Sequence, residues 1–107
     1  MRTKKAGAKT EAMQFLEGLM DGPLTIGQML SAHRQAEELT LAQMGATLGL
    51  SRQQLSDIEK GKRPVSVRKA AAFARALGLH EGHFIKVVLE EELRAFGLQG
   101  KVKIHTA

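Results

Sequence analysis

Apolar side chains recur at three- and four-residue intervals along most of the chain, and the breaks between the runs are sharp. From about Thr10 to Met20, the residues Met13, Phe15, Leu16, Leu19 and Met20 keep the helical period. Asp21-Gly22-Pro23 ends that run, because proline bars the residue before it from helical geometry. The period returns in Ile26, Met29, Leu30 and His33, predicting a helix from Ile26 to about Glu37. Two shorter helices follow, about Leu41 to Leu48 and Arg52 to Lys60, with Met44, Leu48, Leu55 and Ile58 filling the wedge between them. A helix from about Val67 to Leu77 carries Ala70, Ala71, Phe73, Ala74 and Leu77 and stops at Gly78. The last, about Glu81 to Phe96, has the stripe Phe84, Ile85, Val88, Leu89, Leu93 and Phe96 and closes at Gly97. Lys101 to His105 alternates instead, which is the pattern of a short strand needing a partner. The expected fold is all-α, a five- to six-helix bundle whose short C-terminal tail is a candidate strand.

Three of the helix starts carry the same signal. Thr25 with Gln28, Thr40 with Gln43, and Ser51 with Gln54 each read as a capping box, in which hydroxyl and amide side chains satisfy free backbone N–H groups reciprocally. Leu24 with Met29, Leu39 with Met44, and Leu50 with Leu55 are spaced as hydrophobic staples around those boxes. Gly49 stands where the Leu41–Leu48 helix must stop, and Ser51 caps the next one after a very short turn. Gly45 fits such a corner, where closely crossing helices leave no room for a large side chain. Two short helices joined this tightly are the arrangement of a helix-turn-helix.

Composition adds a bias toward polyanions. The chain has 107 residues, a formal net charge of +5 and 43% hydrophobic residues, enough for one domain with a modest core. It has no cysteine, so neither a disulfide framework nor a thiolate metal site is available. No apolar run approaches the roughly 18 residues of a membrane span, and no apolar segment of signal-peptide type follows the basic start, so the expected location is cytoplasmic. Arg2, Lys4, Lys5 and Lys9 make the first residues a basic arm, read either as a solvated terminus or as a segment that orders against DNA.

The run LGLSRQQLSDIEKGKRP resembles the helix-turn-helix of the Cro/CI-like (XRE-type) DNA-binding proteins, through Leu48, Gly49, Ser51, Leu55, Ser56, Ile58, Glu59 and Gly61. The resemblance spans roughly Leu24 to Leu79. That family includes phage repressors, bacterial regulators and the antitoxins of toxin–antitoxin modules. One departure stands out: Leu41 occupies the position where the family has a glutamine that contacts the DNA backbone. The expected organisation is a basic arm and extra helix over 1–23, a DNA-binding domain over 24–79, and a C-terminal helix and tail over 80–107 serving as a dimer or partner interface.

The resemblance implies roles for eight residues. Arg52 and Gln53 open the reading face, arginine suited to guanine and glutamine to adenine. Gln54 either joins them or completes its capping box. Ser56 and Asp57 lie one turn further along, Asp57 accepting from a cytosine amine or facing solvent. Ser51, Lys62 and Arg63 are the expected phosphate contacts. Glu59 is expected to bond within the domain. Independently of the resemblance, Arg34 lies on the face of the Ile26–Glu37 helix beside its apolar stripe, its expected use either phosphate contact or plain solvation.

Catalysis has no support in the pattern. There is no phosphate-cradling glycine loop after a strand and no nucleophile–base pair at a recognisable spacing. His80 and His83 could share a face, but no third ligand that would complete a site with them is evident, so neither metal nor cofactor is expected. His33 reads as a boundary residue, and Glu90-Glu91-Glu92 as a solvated acidic face or a surface for a basic partner. The function expected is therefore a DNA-binding repressor acting as a homodimer. An antitoxin would in addition bind a cognate toxin. The competing reading is an interaction module that keeps the fold without binding DNA, with Leu41 as its main support.

Overall fold

The computed structural model describes residues 24–98 and 100–105. The basic arm and the helix expected over Thr10 to Met20 lie outside the described residues. Five helices follow in order: α1 (Ile26–Ala36), α2 (Leu41–Leu48), α3 (Arg52–Glu59), α4 (Val67–Leu77) and α5 (Glu81–Ala95). The fold is all-α, a small helical bundle.

All three capping boxes form. At each one the hydroxyl oxygen accepts from the backbone N–H three residues on, at 3.1 Å for Thr25, 3.1 Å for Thr40 and 3.0 Å for Ser51. The glutamine oxygen returns the bond to the cap N–H, at 2.9 Å for Gln28, 2.8 Å for Gln43 and 2.9 Å for Gln54. Ser66 caps α4 by accepting from the Lys69 N–H at 3.1 Å. His80 caps α5, its Nδ1 accepting from the His83 N–H at 3.2 Å. One nitrogen of the sequence's only close histidine pair is thus taken up by a helix start.

The core gathers Leu24 from ahead of α1, Ile26, Met29, Leu30, Met44, Leu55, Ile58, Phe73, Phe84 and Val88 from the five helices, and Val65 from the α3–α4 connection. α1 packs on α3 and α5, α2 on α3 and α4, and α4 on α5, so α5 closes the bundle against its first helix. The packing is close enough to exclude side chains at two glycines. A Cβ on Gly27 would collide with the carbonyl oxygen of Ile58 and stand 3.2 Å from the Glu59 Cα. A Cβ on Gly45 would lie 2.8 Å from the Leu50 carbonyl oxygen. At Gly45 the crowding comes from the backbone of the turn, not from a crossing helix. His33 is buried, with 7% of its surface exposed, inside the core edge and not on the boundary.

The acidic run departs from both of its expected readings. Glu90 is buried and accepts from the Val102 N–H at 2.9 Å. Glu91 is half-buried and accepts from the Ile26 N–H, the first free N–H of α1, at 2.7 Å. Only Glu92 is exposed. The run sits astride the helix because α5 is covered on two sides, by α1 and by the returning tail. That tail forms no strand over residues 100–105. It runs back along α5, with Val102 bonded to Glu90 and Ile104 close to Gly82. The predicted stripe of α5 also fails at its end, since Phe96 is 82% exposed and falls past the last turn.

Burial raises the pKa of Glu91 above the usual carboxylate range, opposed by the Ile26 N–H and by Arg94. Protons therefore bind the folded form more tightly than the unfolded one. The resulting stabilisation is present below the usual carboxylate range and disappears as pH rises through the elevated value. Glu91→Gln keeps an acceptor for Ile26 and removes the titration. Urea unfolding should show wild type losing stability relative to Glu91→Gln between acidic and neutral solution. Parallel pH curves for the two proteins would refute this.

Candidate nucleic-acid interface

The α2–α3 corner is built by its own backbone. Gly49 takes φ 73°, a left-handed conformation open to glycine, and the Leu50 N–H donates to the Gly45 carbonyl at 2.8 Å. This folds the turn tightly over Gly45 and delivers Ser51 in an extended conformation, φ −72° and ψ 162°, ready to cap α3. α3 then lays Leu55 and Ile58 into the core and turns its first residues outward. Ser51, Arg52 and Gln53 are exposed; Gln54, Ser56 and Asp57 are half-buried along the same helix.

Gln54 places its side-chain oxygen on the Ser51 N–H, so its role in the capping box is filled and only its amide nitrogen is left for an outside partner. Gln53 Nε2 donates to Asp57 Oδ1 at 2.9 Å, one turn along. After α3, Gly61 at φ 78° reverses the chain, and the Lys62 N–H donates to the Asp57 backbone carbonyl at 2.8 Å. Lys62 and Arg63 follow, both exposed. No carboxylate among the described residues pairs with Arg52, Lys60, Lys62 or Arg63. Among the described residues the face therefore has a positive excess, with Asp57 as its one acid.

Arg34 does not reach toward this face. Its Nε and Nη2 donate to the two Glu59 carboxylate oxygens at 2.8 and 3.0 Å, and its Nη1 donates to the Leu39 carbonyl at 3.1 Å. The Glu59 hydrogen bond raises the Arg34 pKa further above its ordinary value. This clamp replaces both expectations for Arg34, phosphate contact and free solvation. It ties the end of α3 to α1 and to the α1–α2 connection, which fixes the angle at which the first turn of α3 is presented. Glu59 works within the domain, as its position in the motif implied.

Two further basic residues lie outside the motif's own pattern. Arg68 and Lys69 are exposed in the first turn of α4, directly after the Lys62-Arg63 loop. Cations at a helix N-terminus meet the positive end of the helix dipole and are unfavourable there without a counter-charge. The first turns of α2, α3 and α4 hold no acid at all. Three helix ends with no acid in their own first turns, one of them carrying two cations, suit an external polyanion. The missing acids at predicted helix starts were the readable signal. Leu41, in the glutamine position, is partly buried and packs against the core, so it serves the fold.

A family model described as a helix-turn-helix domain matches residues 25–83, more than half of the chain. The chain belongs to the helix-turn-helix domain family. Its type is the XRE/Cro-like one, a class of DNA-binding regulators. Comparison with curated proteins and with solved structures found no match. In this helix-turn-helix protein α2 and α3 form the motif, and α1, α4 and the start of α5 are included in the match. No helix among the described residues is long and apolar enough to cross a membrane.

Proposed function

We propose that this helix-turn-helix protein is a sequence-specific transcriptional repressor that binds duplex DNA as a homodimer in the cytoplasm. The observation that carries this reading is the first turn of α3. Arg52 and Gln53 are exposed on a helix whose other face is anchored by Leu55, Ile58 and the Arg34–Glu59 clamp. A rigid rod of this kind places its N-terminal residues against base edges while its cap and following loop meet the backbone. Arg52 and Gln53 would read bases; Ser56 and Asp57 line the groove further along; Ser51, the Gln54 amide, Lys62 and Arg63 would hold phosphates, with Arg68 and Lys69 extending that track. No chemistry is needed, since occupying an operator excludes polymerase.

A single α3 reads few bases, so two copies related by a two-fold axis would read half-sites about 34 Å apart. The interface is assigned to residues 80–107, where Phe96, Leu98 and Ile104 expose apolar surface. A cognate toxin on the same surface is the antitoxin variant of this reading. Co-purification separates the two: a small basic protein encoded beside the gene and retained by the dimer supports the antitoxin variant, whereas a dimer that retains none supports the plain repressor.

Fluorescence anisotropy on a site selected from genomic fragments tests the DNA reading. Affinity should fall steeply with salt, because each neutralised phosphate releases counterions. Arg52→Ala should cost about 1–3 kcal/mol on the selected site and little on random duplex. Equal losses on both would show that Arg52 reads no base. No salt-sensitive binding to any fragment would favour the interaction-module alternative.

A further inference from the structure

One hydrogen bond on the outward side of α3 adds to the fold only the slight stabilisation of an i,i+4 pair on an exposed helix face. Gln53 Nε2 donates to Asp57 Oδ1 at 2.9 Å, between an exposed and a half-buried residue of the same helix. It joins no two elements and fills no core. The cap of α3 is already closed by Ser51 and Gln54, and the Lys62 N–H is held by the Asp57 backbone, not by its side chain. Yet the pair lies where the proposed reading puts base edges.

The chemistry of the two groups determines what Gln53 can present. A carboxylate only accepts, so the amide must turn its NH₂ toward Asp57 and its oxygen away. One of the two amide hydrogens is then committed. The outer edge of the amide keeps one acceptor, Oε1, beside one remaining donor. That edge matches adenine, which offers a donor at N6 beside an acceptor at N7. Guanine offers two acceptors, O6 and N7, and needs two donors in return. A glutamine free to turn can aim both hydrogens at guanine; one held by Asp57 cannot. The negative charge beside it also repels guanine O6.

We propose that Asp57 is a specificity-determining positioning residue, holding the Gln53 amide in the orientation that accepts adenine and rejects guanine. This rests on the DNA reading proposed above. It also gives Asp57 an unusual double effect: its charge opposes phosphate and lowers general affinity, while its hold on Gln53 raises selectivity.

The test is selection of bound sequences from a random duplex library by the full chain, comparing base frequencies position by position. Wild type, Gln53→Ala, Asp57→Ala, Asp57→Asn and the Gln53→Ala/Asp57→Ala double variant are compared. Wild type should show a position preferring adenine that Gln53→Ala erases. Asp57→Ala should admit guanine at that same position, lowering the adenine-to-guanine preference by about fivefold or more. Asp57→Asn, whose side chain can turn either end to Gln53, should do so in part. Asp57→Ala should bind random duplex more tightly than wild type, and the double variant should match Gln53→Ala at that position. Thermal melting should leave all variants folded, because neither side chain supports the core.

Three results overturn the assignment. Asp57→Ala could alter a different position from Gln53→Ala, retain the adenine preference, or weaken every position equally as a structural role would. In each of these cases wild type still selects a sequence, so the DNA reading survives. A wild type that enriches no sequence overturns both.

Discussion

Gly27→Ala is expected to cost about 3 kcal/mol of unfolding free energy, a large loss for the addition of one methyl group. The new Cβ would meet the Ile58 carbonyl oxygen inside contact distance, with the Glu59 Cα and carbonyl oxygen each 3.2 Å away. Those atoms are backbone at the end of α3, so no rotamer change can relieve the clash; α1 must move off α3 or α3 must deform. Either movement opens the core at Met29, Leu55 and Ile58. Urea unfolding should show a lower midpoint with an unchanged slope. A loss under about 0.5 kcal/mol, the range of ordinary surface substitutions, would mean that the two helices are not held at this spacing.

Arg34→Ala is expected to cost about 2 kcal/mol, somewhat less than breaking one side of a fully buried ion pair, because this one is partly exposed. The Glu59 side chain is 9% exposed and the Arg34 side chain 18%, so truncation leaves a desolvated carboxylate with no counter-charge. It also strands the Leu39 carbonyl, which accepts from Arg34 at 3.1 Å. Removing both charges together, as Arg34→Met with Glu59→Leu, should be milder than Arg34→Ala alone, because the main penalty lies in the orphaned partner. A double-mutant cycle in urea measures this. Additive losses would show that the clamp contributes nothing as a pair. The milder double variant should also bind its selected DNA less tightly than wild type, since the clamp orients α3.

The helix starts were legible because they are written locally. Thr25, Thr40 and Ser51 each carry their glutamine three residues on, and every box forms in the structure. The stops at Gly49 and Gly78 were legible for the same reason. What failed depends on residues far apart in the chain. Glu90 and Glu91 look like part of a solvated face until the tail and the start of α1 are brought against them. Arg34 looks free until α3 supplies Glu59. Gly27 shows no sign in its neighbours that a carbonyl will sit on it. The alternation in Lys101 to His105 has the strand period, but the tail finds a carboxylate on α5 instead of a sheet edge. At the candidate interface, the exposure of Arg52 and Gln53 followed from the helix register, whereas the bond from Gln53 to Asp57 did not.

The bond from Ile26 to Glu91 bears on the order in which this protein is assembled during synthesis. Its two ends are 65 positions apart, and Phe84 and Val88 join the core from the same late helix. A nascent chain that has released α1 to α4 but not α5 holds an incomplete interior and an unanswered N–H at the start of α1. The bundle cannot close in this arrangement until α5 clears the ribosome, and the cost of closing so long a loop is met in that step. Shortened versions that stop after α4 should therefore be poor substrates for crystallisation or DNA titration, however complete their reading helix looks on paper.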